Sequence, residues 1–172
     1  MAEKSSNPET IDATDIEILK IVQKKGRATV SEISRKVGKG ISTVHARMKR
    51  LLETGFIERY TANLNPRKLG RGTLAFILVT VTYRVPGGND VISQRRFCRE
   101  IAEHRLVQSV HVLSGEYDVL LKVRARDIDE MNRFIVDFLR KKPAVDKTLT
   151  MFAMDTYLDT LELRGLKSAV EV

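Results

Sequence analysis

The sequence is poor in the residues that form disulfides and zinc sites. It has one cysteine, Cys98, no tryptophan and three histidines. A single cysteine excludes an intramolecular disulfide and argues against a cysteine-based zinc site; beside Phe97 and Ile101, we expect it on a helix in or near the core. No apolar run is long enough to cross a bilayer, and the polar N-terminus lacks the apolar stretch of a signal peptide. We therefore expect a cytoplasmic protein that does not bind membranes.

The signatures of several enzyme classes are also missing. The sequence contains no HExxH pair for a catalytic metal, no GxSxG turn for a nucleophilic serine and no glycine-rich phosphate loop. The three histidines are His45, His104 and His111, and none belongs to such a motif. We expect no catalytic residues, no cofactor and no metal site.

Positive charge is concentrated in the first part of the chain. Residues 1–72 hold 15 Lys and Arg against 8 Asp and Glu, a balance of +7, whereas residues 73–172 hold 15 against 14, a balance of +1. A basic segment of this kind attracts a polyanion. A basic membrane-surface segment would instead place bulky apolar residues opposite the charge, without a turn motif. The charge distribution therefore favours double-stranded DNA as the partner of the first part.

Residues 29–55 show a helix-turn-helix pattern. A short amphipathic run is followed by a glycine-bearing turn at 38–40 and by a longer run with apolar residues on one helical face. The apolar positions are Val30, Ile33 and Val37 in the first run, and Ile41, Val44, Met48, Leu51 and Leu52 in the second. Gly55 stands where a left-handed residue would end the helix. A helix from Asp12, its N-cap, to near Gly26 completes a three-helix unit.

The second helix of this pattern carries polar and cationic side chains opposite its apolar face. In a helix-turn-helix this helix enters the major groove, where short polar residues near its start read base edges and cations bind phosphates. The candidates for base contacts are Ser42, Thr43 and His45. The candidates for phosphate contacts are Lys39, Arg47, Lys49 and Arg50. A solvated surface helix would show the same amphipathicity, but the turn, the spacing and the charge together favour DNA binding.

The sequence predicts two domains joined by a hinge. Short strands at 56–60 and 61–64 would form the wing of a winged helix-turn-helix, and the proline, glycines and cations of NPRKLGRG predict a hinge. The predicted divisions are a flexible tail at 1–10, a DNA-binding domain at 11–64, a hinge at 65–72, a second domain at 73–158 and a C-terminal tail at 159–172.

The second domain follows the order β-α-β-β-α-β. The predicted elements are a strand over 74–85, a helix over about 90–104, strands over 107–113 and 117–123, a helix capped by Asp127 with Glu130 at N3, and a strand over about 145–157. This order predicts an α+β, ferredoxin-like unit, with an antiparallel four-stranded sheet and both helices on one face. The uncovered face needs a partner, so we expect a homodimer through this domain.

These features in this order resemble the Lrp/AsnC, or feast/famine, transcription regulators. The resemblance covers about residues 11–158 and includes the hinge NPRKLG, the motif SGEYD before a strand and TLT in the last strand. It implies that the second domain is a RAM domain that dimerises, that dimers assemble into octamers, and that a small effector, typically an amino acid, binds between dimers.

The resemblance also assigns effector-binding positions. The family's glycine-x-tyrosine-aspartate turn falls on Gly115, Tyr117 and Asp118, and its last-strand threonines fall on Thr148 and Thr150. A carboxylate such as Asp118 can hold an α-ammonium group, while threonine hydroxyls can bind a carboxylate. The alternative is that the glycine only permits a tight turn and that the threonines are ordinary strand residues.

The recognition helix departs from the family at its start. Members usually begin it with Leu-Ser-Pro, whereas this sequence has Lys39, Gly40 and Ile41. Glycine caps a helix only slightly less well than serine, and the lysine adds a cation near the DNA backbone. Ala46 lacks the reach of the longer residue often found at its place.

Two other functions fit the same architecture. An architectural protein that compacts DNA with little sequence preference would need the same basic helix and the same oligomer. Sirohaem decarboxylases resemble this two-domain arrangement and use histidines, a role for which His111 is the candidate, although such a residue is more often a hydrogen-bonded strand residue.

Overall fold

The computed structural model of the chain describes residues 10–82 and 93–167. The chain divides into two compact units, one up to Asn63 together with the segment that begins at Asp159, and the other from Leu64 to Leu158. Each unit has its own hydrophobic core. The predicted C-terminal tail therefore groups with the first unit instead of standing apart.

Among its described residues, the first unit contains three helices, as the sequence predicted. They are α1 (Ala13–Lys24), α2 (Val30–Val37) and α3 (Ile41–Glu53). Reciprocal capping boxes start the first two, formed by Asp12 with Asp15 and by Thr29 with Glu32. Gly38 ends α2 in the left-handed region, at φ +64°. The core contains Ile18, Ile33, Val44, Leu51 and Ile57.

The wing lacks the two strands expected from the sequence. Residues 56–64 have no strand pairing, and the Ile57 N–H donates to the Leu51 carbonyl at 2.9 Å. Phe56 and Tyr60 are exposed on either side of the buried Ile57. No turn residue separates the two proposed strands, and an isolated two-stranded ribbon is marginal in water. The Ile57 side chain and its backbone hydrogen bond attach the start of the segment to the core.

The C-terminal segment contacts α1. The side-chain amide of Gln23 donates to the Leu163 carbonyl and accepts from the Leu163 N–H, both at 3.1 Å. Lys24 Nζ lies 3.9 Å from a Glu162 carboxylate oxygen. These contacts explain why this segment belongs to the first unit, and nothing in its polar sequence had indicated them.

The second unit is a four-stranded antiparallel sheet with helices on one face. Its elements are β1 (Thr73–Val81), α4 (Gln94–Ala102), β2 (Val107–Val112), β3 (Val119–Ala125), α5 (Ile128–Arg133), continued by π-helical residues Phe134–Leu139, and β4 (Val145–Phe152). The strand order is β2-β3-β1-β4. The ferredoxin-like prediction is confirmed.

Several element boundaries differ from the predicted ones. β4 ends at Phe152, which pairs with Ala75, instead of at residue 157; the Ala153 N–H still donates to the Leu74 carbonyl at 2.9 Å, close to the start of β1 at Thr73. α4 begins only after its N-cap Ser93, and the predicted start at residue 90 lies outside the described residues, as do residues 83–85 of the predicted first strand.

Side chains of β1 alternate between a covered and an open face of the sheet. Ala75, Ile77 and Val79 are fully buried against the helices. The register pairs Leu78 with Leu120 and Leu149, and Phe76 with Met151, on the opposite face. The exposed fractions of Leu149 and Met151 are both 44%. The predicted uncovered apolar face is therefore present.

A buried carboxylate joins the predicted hinge to α5. Glu130 accepts hydrogen bonds from the Arg126 N–H at 2.7 Å, from Arg105 Nη2 at 2.7 Å and from Arg71 Nη1 at 3.2 Å. The backbone N–H of Arg126, followed by the Arg105 guanidinium, lowers the pKa of Glu130. Arg71 lies in the segment predicted as a hinge, so this part of the hinge is anchored to the second unit.

We expect Glu130→Gln to lower the free energy of unfolding at pH 7 by about 1–3 kcal/mol, because it weakens three hydrogen bonds to a charged group. The lowered pKa means that the carboxylate stabilises the fold above its unfolded pKa of about 4.3, and that this contribution disappears as the pH falls through the folded pKa. Urea denaturation between pH 3 and 7 should show a smaller acid-induced loss for Glu130→Gln than for the parent. The exposed Glu103→Gln is the control, and equal pH profiles for parent and Glu130→Gln would contradict this account.

Candidate nucleic-acid interface and effector groove

The recognition helix α3 buries a narrower stripe than its sequence predicted. Val44 and Leu51 are fully buried, whereas Ile41 is 56% and Leu52 is 42% exposed. Ile41 is the first residue of the helix, so it lies beyond the core formed with α1 and α2. The helix starts at Gly40, which supplies no side-chain cap, as expected.

The residues predicted to contact bases lie on the surface. Ser42, Thr43 and His45 are exposed. Lys39 and Lys49 are also exposed, and Lys49 Nζ lies 3.7 Å from a Glu53 carboxylate oxygen in a weak surface pair. These five side chains are available to a ligand that approaches the start and outer face of α3.

Arg47 and Arg50, predicted to bind phosphates, instead have carboxylate partners within the unit. Arg47 Nη1 donates to Asp12 at 2.7 Å and to Asp15 at 3.0 Å, and Arg50 Nη2 donates to Asp15 at 2.6 Å. The Asp12 carboxylate, followed by that of Asp15, raises the pKa of Arg47. The phosphate assignment of the two arginines stays a prediction, because sequence periodicity showed their outward position and not their acidic neighbours at the start of α1.

A shallow cleft of about 540 Å³ lies over these ion pairs. It is lined by Thr10, Asp12, Asp15, Thr43, Ala46, Arg47 and Arg50. Asp15 is only 1% exposed, whereas the Asp12 side chain is 53% exposed. The cleft thus presents a charge-paired surface beside the predicted base-contacting residues.

Two of the five predicted effector residues line a common groove in the second unit. The groove measures about 450 Å³ and includes Tyr117 and Thr148. Its other lining residues are Thr80, Glu116, Arg140, Asp146, Lys147 and Leu149. It therefore combines three hydroxyl groups with two cations and two carboxylates.

The other three predicted effector residues do not line the groove. The carboxylate of Asp118 accepts the Val81 N–H at 2.7 Å, next to an irregularity in the β1–β4 register, so it is bonded to the sheet. Gly115 lies in an exposed turn with φ +155°. Thr150 pairs with Ile77, on the same side of the sheet as Thr148, but it does not line the groove.

The charged groove residues were missed by sequence reasoning. Three of them lie within two positions of a predicted residue: Glu116, Asp146 and Lys147. A search of the positions next to each motif would have found them. Arg140 follows the π-helical turn and reaches the groove only through the tertiary fold. No local signal marks it.

Comparison with known proteins agrees with both units. Residues 74–163 match the family model described as the Lrp/AsnC ligand binding domain, and residues 11–58 match a winged helix-turn-helix DNA-binding model. The chain belongs to the Lrp/AsnC family. It is a DNA-binding transcription regulator with a ligand-binding domain.

Relatives extend this Lrp/AsnC assignment over nearly the whole chain. An uncharacterized HTH-type transcriptional regulator of Pyrococcus abyssi is 40% identical over 86% of this chain and 95% of that protein. The leucine-responsive regulatory protein of Salmonella typhimurium is 34% identical over 84% and 85%. A transcriptional regulator of Neisseria meningitidis, solved as a complex with L-Met, superposes with a TM-score of 0.81 at 29% identity, covering 90% of this chain and 96% of that one.

The histidines considered for an enzyme do not converge. His104 packs between the rings of Phe134 and Phe138, with centroid distances of 4.7 and 4.4 Å, on the helix-covered side of the sheet. His111 pairs with Leu120 on the open face. Across residues 10–82 and 93–167, no three His, Cys, Asp or Glu are grouped to hold a metal ion. The helices in these same ranges are too short or too polar to span a membrane.

Proposed function

We propose that this Lrp/AsnC regulator reads a specific DNA sequence with α3 and responds to an amino acid bound at the groove of its second unit. The observation that supports DNA reading is the outward cluster of small polar and cationic residues at the start of α3. Ser42, Thr43 and His45 are the base-contacting residues, and Lys39 and Lys49 bind flanking phosphates. Arg47 and Arg50 contribute to phosphate binding only through the guanidinium N–H groups that are not bonded to their carboxylate partners.

The groove chemistry suits a zwitterion. Arg140 and Lys147 can bind the α-carboxylate of an amino acid, while Glu116 and Asp146 can bind its α-ammonium group. The hydroxyls of Tyr117 and Thr148 add neutral hydrogen bonds. The L-Met complex of the Neisseria relative supports an amino acid as the class of effector. A second dimer packed over the groove would remove the ligand from water.

The open face of the sheet supports a homodimer. Phe76, Leu78, Leu120, Leu149 and Met151 form an apolar surface opposite the helices. A two-fold copy of the same face would bury it, and two copies of α3 would then meet two DNA half-sites. Such dimers can assemble into octamers.

The second candidate function is architectural DNA compaction with low specificity. The net charge of +8 favours it, because non-specific binding is mainly electrostatic. The ratio of specific to random-sequence affinity at one stated salt concentration separates the two functions.

We expect Lys49→Gln to weaken binding to specific and random duplexes equally and to reduce the slope of log K against log salt by about 0.9, because one phosphate contact is lost. Thr43→Ala should instead lower the ratio of specific to random affinity by roughly tenfold. Fluorescence anisotropy titrations at several salt concentrations measure both effects. Lys141→Gln on the second unit is the control, and unchanged specific binding in both variants would contradict this docking.

The effector groove predicts a contrast between two threonines on one strand. Thr148→Val should weaken the effect of an activating amino acid on DNA affinity by roughly fivefold or more, because it removes a hydroxyl from the groove. Thr150→Val should not, because Thr150 lies one residue pair further along β4, on the same side of the sheet, and does not line the groove. DNA titrations with a panel of amino acids provide the measurement, and loss of the response in both variants or in neither would reject this groove.

The dimer face predicts a contrast between two exposed methionines. Met151→Lys should weaken the dimer roughly tenfold or more, because it places a charge in the apolar face. Met154→Lys, at a residue that is 93% exposed beyond the end of β4, should leave the dimer unchanged. Sedimentation equilibrium gives the dissociation constants. A monomeric parent protein would refute the homodimer itself.

A further inference from the structure

Two carboxylates at the start of α1 hold two arginines of the recognition helix. Asp15 is buried between Arg47 and Arg50, at 3.0 and 2.6 Å, which fits a role in attaching α3 to α1. Asp12 lies at the surface, with 53% of its side chain exposed, and bonds Arg47 Nη1 at 2.7 Å. The DNA-binding function described above does not account for this second, exposed carboxylate.

The negative charge of Asp12 is not required for its capping role. Its side chain accepts the Asp15 N–H at 2.9 Å as the N-cap of α1, and an uncharged residue can do the same. The chain itself shows this, since Thr29 caps α2 through the same reciprocal arrangement. Meanwhile the Asp15 N–H, followed by Arg47, lowers the pKa of Asp12 and keeps the carboxylate charged.

The ion pair changes what the recognition helix offers to DNA. Arg47 and Arg50 bring two positive charges to α3, and Asp12 and Asp15 compensate both within hydrogen-bonding distance. A phosphate that approaches Arg47 must compete with Asp12, which lines the same cleft as Thr43. Compensated cations release fewer counterions from DNA, so this flank of α3 contributes less to sequence-independent affinity.

We propose that Asp12 attenuates DNA binding: it competes with DNA phosphates for Arg47 and thereby lowers affinity for DNA of any sequence. Because phosphates are present in every duplex, the competition lowers specific and random affinity alike and leaves their ratio unchanged. The inference rests on the proposed docking of α3 in the major groove.

The test compares Asp12→Asn with Glu17→Gln, which removes one exposed negative charge from the same helix. The Glu17 carboxylate lies 2.8 Å from Lys20 Nζ and faces this lysine instead of α3. Asparagine keeps the N-cap acceptor. We expect Asp12→Asn to raise affinity for a random duplex roughly three- to tenfold and to steepen the salt slope by about 0.9, the value for one added phosphate contact. Glu17→Gln should produce a much smaller change, and the ratio of specific to random affinity should stay the same in both variants.

A double-mutant cycle identifies the partner. In an Arg47→Gln background, Asp12→Asn should have no more effect than Glu17→Gln, because the cation for which Asp12 competes is gone. Equal effects of Asp12→Asn and Glu17→Gln in the parent would overturn the proposal, as would weaker DNA binding by Asp12→Asn. If circular dichroism shows that Asp12→Asn is unfolded, Asp12→Ser gives the same comparison with another good N-cap. Parent protein that binds no DNA would refute the proposed docking, whereas normal parent binding with equal variants refutes only the role of Asp12.

Discussion

The central position of β1 determines the arrangement of the second unit. This strand pairs with β3 on one side and with β4 on the other, and its alternate residues from Ala75 to Val79 form the middle of the core. Antiparallel pairing then fixes which neighbours share each face. Because the helices of the described residues cover the other face, the same register that buries Ile77 leaves Leu78 and its partners on an apolar surface, which supports the proposed homodimer.

The same pairing brings the groove residues together. The turn before β3 and the first half of β4 lie beside β1, so Tyr117 and Thr148 meet although 31 positions separate them in the sequence. Asp118 contributes by accepting the Val81 N–H where the β1–β4 register shifts. The motif in this turn therefore combines a residue that lines the groove with one that holds the sheet around it.

In the first unit, charge compensation accompanies packing. Val44 and Leu51 attach α3 to the core, while Asp15 attaches its arginines to α1. A buried carboxylate needs such partners, because an unpaired charge there would be strongly destabilising. The unpaired cations on the outer face of α3 are consequently fewer than the number of Lys and Arg residues in the helix suggests. In the cleft between α1 and α3, the Asp12 carboxylate and a DNA phosphate compete for Arg47.

Local signals explain what could be predicted. The helix starts at Asp12 and Asp127 were predictable because an N-cap and its N3 residue are close in the sequence, and Gly38 and Gly55 marked helix ends because positive φ angles favour glycine. The predicted strands at 56–60 and 61–64 were wrong, because a segment with β propensity forms a strand only where another segment lies beside it to pair with. Glu130 was placed correctly at N3, yet its bonds to Arg71 and Arg105 depend on segments far away in the chain.

The sequence by itself determined the order of the elements, the helix-turn-helix and the basic first part, because these depend on periodicity, caps and charge that are local or additive. The family was recognised from the resemblance of its motifs in their order. Only the tertiary structure decided that Arg47 and Arg50 pair with acidic residues of α1, that Arg140 joins the groove and that the C-terminal segment returns to Gln23. Each of these contacts joins residues distant in the sequence. Their geometry is set by packing, which one-dimensional periodicity does not encode.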